Sequence, residues 1–163
     1  MKTSVRLLLI ALLVAACIAS ESLAAGDWGP TEDGWHTWQV AAADGGELQI
    51  YVSMERGRPV KLRLQGDSIC SGHFDVEATD LGFVEVDQSI DWLRRYTEPQ
   101  SELGSEVLMA ISFHSGDRPV TILAGVVKSG SNRKLREEAL FWLAQSDSDD
   151  AFVVIDRLLS GKM

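Results

Sequence analysis

The chain has 163 residues, 45% of them hydrophobic and 24% charged, which fits one compact domain or two small ones and excludes a disordered protein. Its formal net charge is −9 at pH 7, so it has no broad basic face to neutralise phosphates, and this argues against nucleic acid as a partner.

Residues 1–25 read as a signal peptide. Lys2 and Arg6 supply a positive start, and the uncharged run LLLIALLVAA at 7–16 is too short to span a bilayer. Loss of the leader removes Lys2, Arg6 and Glu21 and takes the net charge from −9 to −10. Two processing routes fit. Ser22-Leu23-Ala24 obeys the small-x-small rule of an ordinary signal peptidase. Val14-Ala15-Ala16-Cys17 resembles a lipobox, which would make Cys17 a lipidation site and give the chain its one membrane contact, a lipid anchor. Either route exports the protein to the periplasm or cell envelope. Cys70 is then the lone ordinary cysteine, either a small buried residue or half of a disulfide to a partner chain.

Residues 26–84 read as a β-rich domain. A Gly- and Pro-punctuated lead-in carries Trp28. Residues 35–40 then alternate, with Trp38 and Val40 on one face. After the turn at Asp44-Gly45-Gly46, Leu48, Ile50, Val52 and Met54 form a half-buried strand. The reversal Glu55-Arg56-Gly57-Arg58 leads into a strand bearing Val60, Leu62 and Leu64, with Pro59 near its start. A fourth strand is expected within 75–84, which completes a small antiparallel meander with one wet face. The helices that follow are the expected cover for its apolar face.

Residues 85–163 change to a helical period. The sequence predicts helices over 87–96, ended by Pro99, and over 105–114, capped by Ser105. A third carries Val120, Leu123, Ala124 and Val127 with Pro119 in its first turn. A fourth opens at Ser131 with the stripe Leu135, Ala139, Trp142 and Leu143. The fifth follows Asp149 and Asp150 with Ala151, Val154, Ile155 and Leu158. At an offset of 32 residues the helical part repeats. Leu103 falls on Leu135, Val107 on Ala139, Leu108 on Leu140, Ile111 on Leu143, Val120 on Phe152, Leu123 on Ile155 and Val127 on Leu159, and the turn between the helices aligns too. A period of this length with two helices per unit marks an α-solenoid, in which neighbouring hairpins share a core because none can bury its own apolar faces.

Leu135-Arg136, Ala139, Leu143-Ala144, a short polar turn and then Ala151, Val154 and Leu158 resemble the bacterial HEAT-like repeat. The match is good over 131–160 and fair over 103–129, where the Val-Arg pair is missing. The resemblance implies an α+β chain: a small antiparallel β meander followed by α-helical hairpins of HEAT-like, α-solenoid type. It also implies a role in binding proteins. Two repeats are seen where such solenoids use three or more.

The chemical motifs are thin. Cys70, His73, Asp75 and Glu77 have ligand-like spacing but no second group beside them, and zinc wants four ligands. No cysteine stands beside a histidine at a helix start, and His36, His73 and His114 are scattered; His114 reads as a partly buried cap. Asp147, Asp149 and Asp150 lack the spacing of a calcium loop, and no phosphate-cradling glycine motif occurs. No catalytic, cofactor or metal residue is therefore assigned, and no enzyme activity is expected. The candidate protein-binding residues are the basic pair Arg133 and Lys134, the apolar Phe152, Val153 and Leu159 on the terminal unit, and Trp28 and Trp35 in and after the lead-in. The expected role is a non-catalytic protein–protein interaction module of the bacterial cell envelope. An accessory or inhibitory subunit of an envelope enzyme or signalling receptor is the alternative. The partner is another protein, and a homodimer is included among the candidates.

Overall fold

A computed structural model describes residues 28–69, 74–97, 101–146 and 148–161. The strands are β1 (Gly34–Ala41), β2 (Glu47–Glu55), β3 (Arg58–Gln65) and β4 (Thr79–Phe83). The helices are α1 (Val86–Leu93), running into a 3₁₀ turn at Arg94–Tyr96, then α2 (Gly104–Ser112), α3 (Arg118–Ser129), α4 (Arg133–Gln145) and α5 (Asp149–Leu159). The chain is α+β. Among the described residues no helix is long and apolar enough to cross a membrane.

The first three strands form the expected meander. β1 and β2 pair antiparallel from Gly34 opposite Met54 to Ala41 opposite Glu47. The β2–β3 loop places Arg56 at φ 53° and Gly57 at φ 71°, the signature of the two-residue turn that matches strand twist. The fourth strand departs from expectation. The order is β3-β2-β1-β4, and β4 lies parallel to β1, so the sheet is mixed and not an antiparallel meander throughout. A parallel neighbour needs a crossover of about a dozen residues, and residues 66–78 supply it. Phe74 of this crossover lies on the outer face of the sheet, 5.1 Å from the ring of Trp35 and 5.2 Å from that of Tyr51. The face expected to be wet therefore has Thr37, Tyr51 and Ser53 buried in it.

Strand alternation sends Trp38, Val40, Leu48, Ile50, Val52, Met54, Leu62 and Leu64 to the inner face, where they share one core with Trp92, Leu93, Leu103, Val107, Ala110 and Ile111. This core runs across the boundary between 26–84 and 85–163. Trp38 packs edge to face on Trp92 at 5.5 Å. Gly29 is held at φ 133°, and a Cβ there would lie 2.0 Å from Trp92 Cδ1, so only glycine fits. Backbone bonds tie the sheet to the end of α2: Ala43 N–H donates to Phe113 O (2.9 Å) and Ser115 N–H to Ala41 O (3.0 Å). Arg118 at the start of α3 pairs with Asp87 (3.0 Å) and Asp91 of α1.

A second core gathers Leu108, Val120, Leu123, Leu135, Ala139, Leu143 and Ala151. Within it α4 lies against both α2 and α3, and α5 against α4 and α3. Gly104 allows the close approach of α2 to α4, since a Cβ there would sit 3.0 Å from Leu135 Cδ2. Two caps differ from expectation. Asn132, not Ser131, caps α4, its side chain accepting from Lys134 N–H at 2.9 Å. Ser105 lies inside α2, and Ser101 Oγ accepts from Leu103 N–H at 3.3 Å ahead of it. Pro119 stands in the first turn of α3, as its missing N–H permits. Pro99 lies outside the described residues.

Candidate functional site

The offset of 32 residues separates the helical positions into two sets. At Leu103/Leu135, Val107/Ala139, Ile111/Leu143 and Pro119/Ala151 both members are buried. These residues hold each hairpin together and face back toward the sheet or the preceding hairpin. At a second set the members part. Leu108, Val120 and Leu123 of α2 and α3 are buried, because α4 and α5 lie on them. Among the described residues no further hairpin covers their counterparts on α4 and α5; Ile155, the counterpart of Leu123, is half-buried against the second core, and the others are exposed. Leu140 is 39% exposed, Phe152 74%, and Leu159, the counterpart of the half-buried Val127, 83%. The exposed face of α4 and α5 is thus the translated copy of a surface that the chain buries one unit earlier.

Val153 is also exposed, beside Phe152 in sequence but on another side of α5. Phe141 is exposed on α4 and was missed by stripe reading, which looks for apolar residues on one side only. Its ring lies 5.0 Å from Trp142, which in turn reaches Phe113 at 5.7 Å. Leu140 had a signal in the sequence, since it aligns with Leu108 in the repeat. Arg133 and Lys134 stand on the exposed first turn of α4. Each already has an intrahelical partner, Arg133 with Glu137 at 2.7 Å and Lys134 with Glu138 at 3.6 Å. Arg136 donates to the carbonyl of Gly130 (2.7 Å), which fixes the entry into α4.

Trp28 and Trp35 lie away from this surface. Trp28 is half-buried and packs edge to face on Trp38 at 5.5 Å, while Trp35 is half-buried under Phe74. Cys17, Cys70 and His73 fall outside the described residues. Asp75 and Glu77 are exposed on the crossover, and among the described residues no group of three or more His, Cys, Asp or Glu side chains could hold a metal ion.

His114 is wholly buried rather than a partly exposed cap. Its Nδ1 lies 2.8 Å from the carbonyl of Ala110, which can only accept, so Nδ1 carries the proton. Nε2 then accepts from the hydroxyl of Ser89 at 2.9 Å, and Ser89 Oγ accepts from Trp38 Nε1–H at 2.8 Å. Burial pushes the His114 imidazole down to about 4, against the smaller raising effect of the Ala110 and Ile111 backbone. A serine on a neutral histidine has the polarity of an activated nucleophile, but Ser89 has no exposed surface and its oxygen is occupied by Trp38. The chain of bonds pins β1, α1 and the end of α2 together. Ser89 gave no signal in the sequence, lying 51 residues from Trp38 and 25 from His114.

Compared with protein-family models, with curated proteins and with solved structures, the chain finds no match in any of the three.

Proposed function

We propose that the protein is a non-catalytic interaction module of the bacterial cell envelope, built on HEAT-like helical repeats, and that it binds another protein through the outward face of α4 and α5. One observation carries this reading. Of the seven large apolar side chains exposed among the described residues, five lie on this one hairpin, and three of them, Leu140, Phe152 and Leu159, stand one repeat beyond Leu108, Val120 and Val127, on which the following hairpin packs. A concentration of that kind marks an interaction surface, whereas apolar residues scattered singly do not. The HEAT-like part draws support from the stacking of like on like, α2 against α4 and α3 against α5, at the spacing of the sequence repeat. Placement in the envelope rests on the leader at 1–25.

The test is capture from envelope extracts on immobilised protein, with Phe152→Asp/Leu159→Asp in parallel. Both positions are exposed, so the variant keeps its fold. A protein retained by the native chain and lost by the variant supports the reading. Identical captures, or none, defeat it. Intact-mass measurement of the exported protein reads the leader separately, as an N-terminus near Ala25 or a diacylated Cys17.

A further inference from the structure

We infer that the partner on this face is a second copy of the chain, paired face to face about a two-fold axis through the last hairpin. The inference rests on the interaction-module reading above and names its partner. Three observations carry it. The first is continuity with an interface the chain already makes. Leu140, Phe152 and Leu159 stand one repeat beyond Leu108, Val120 and Val127, which are covered by the hairpin that follows them.

The second is what a second copy has left to offer. In a solenoid this face meets the inward side of the next unit. Here the inward side of α4–α5 is taken by α2 and α3, and the inward side of α2 by the sheet. A second copy therefore presents no free inward side. Head-to-tail growth is closed, and the outward faces are left to meet each other, which gives a closed dimer and not a fibre.

The third is charge. The hairpin is polarised along its length. Arg133, Lys134 and Arg136 stand in the first turn of α4, and Arg157 in the last turn of α5 at the same end, where Glu137, Glu138 and Asp156 offset three of the four cations and leave a small positive excess. The opposite end carries Asp149 and Asp150, and no lysine or arginine occurs between Arg136 and Arg157. A two-fold rotation lays the basic end of one copy on the acidic end of the other, twice over, with Leu140 and Phe152 between. The same symmetry sets the antiparallel helix dipoles favourably.

Sedimentation equilibrium from micromolar to millimolar protein tests this. The native protein forms a dimer that weakens with added salt. Phe152→Asp raises its dissociation constant by at least about 30-fold, as loss of a central apolar anchor does. Arg133→Glu/Arg136→Glu makes both ends of the face acidic, and Asp149→Arg/Asp150→Arg makes both basic, so each variant alone is monomeric. Mixed in equal amounts the two form a heterodimer, a rescue that a misfolded variant does not give, and circular dichroism checks the fold of each. A native protein that stays monomeric overturns the inference, as does a dimer indifferent to Phe152→Asp or a mixture that fails to pair. A monomer that still captures a different envelope protein through Phe152 overturns self-pairing and leaves the interaction module standing. A monomer that captures nothing removes both.

Discussion

Thr37 buries a hydroxyl that nothing answers among the described residues. It lies on the outer face of β1 with its Oγ1 shielded from solvent and, among those residues, without a hydrogen-bond partner. A buried, unpaired hydroxyl pays its desolvation in full, whereas an apolar group of the same shape pays nothing. Thr37→Val keeps the branched side chain that suits a strand and removes the orphan oxygen. Urea denaturation is expected to show the variant more stable by about 1 kcal/mol. A less stable variant would mean that the hydroxyl is bonded after all. Arg56 poses the opposite case, an exposed residue whose backbone is at fault. At φ 53° it occupies the left-handed region, which costs most side chains about 1 kcal/mol and costs asparagine less. Arg56→Asn should raise the melting temperature by about 1–3 °C, and an unchanged value would place the strain elsewhere.

Among elements, the joint between β1, α1 and α2 is the one that senses pH. His114 sits below its ordinary value because the charged imidazole loses its hydration there. The unfolded chain binds the proton first, near pH 6.5, and the folded chain only near pH 4. The contribution to stability is therefore complete above about 6.5, falls as pH drops through the window, and is gone below about 4. Between pH 7 and pH 5 the loss is about 2 kcal/mol. Denaturation of His114→Gln over the same range should lack this slope. If both proteins slope alike, carboxylates and not His114 carry the effect. This joint also shows where reading the sequence stops. Alternation from Leu48 to Met54 placed β2, and the residues Arg56-Gly57 placed the hairpin, because period and turn chemistry are local. The helical stripes were legible for the same reason, and the repeat made Leu140 and Phe152 legible through Leu108 and Val120. The direction of β4 was not, since a short alternating run does not say which edge it joins or how its crossover travels. Ser89 was not, since a polar residue inside a helix declares its partner only once Trp38 and His114 are folded beside it. Ser131 and Asn132 are both competent caps, and only backbone geometry chose between them.

At the scale of the whole molecule the two cores set an order of stability. The first joins α1 and one face of α2 to three strands, while the second holds α5 by a single fully buried residue, Ala151, with Val154, Ile155 and Leu158 half-buried. Opening α4 and α5 alone exposes the second core and leaves the first intact, so a partly open form costs less than global unfolding. Native-state hydrogen exchange should find amides of α5 least protected and those of β1 and β2 most. Leu143→Ala removes a wholly buried side chain from the second core and is expected to cost about 3 kcal/mol. That loss should appear in full at α4 and α5, with β1 and β2 retaining their protection. An equal drop at every amide would mean that the sheet and the last hairpin open as one unit. The weakly held hairpin is also the one that exposes Phe152 and Leu159. Covering that face with a second copy would stabilise the folded form by mass action, so protection at α5 should rise with protein concentration while that of β2 stays constant, and Phe152→Asp should abolish the rise.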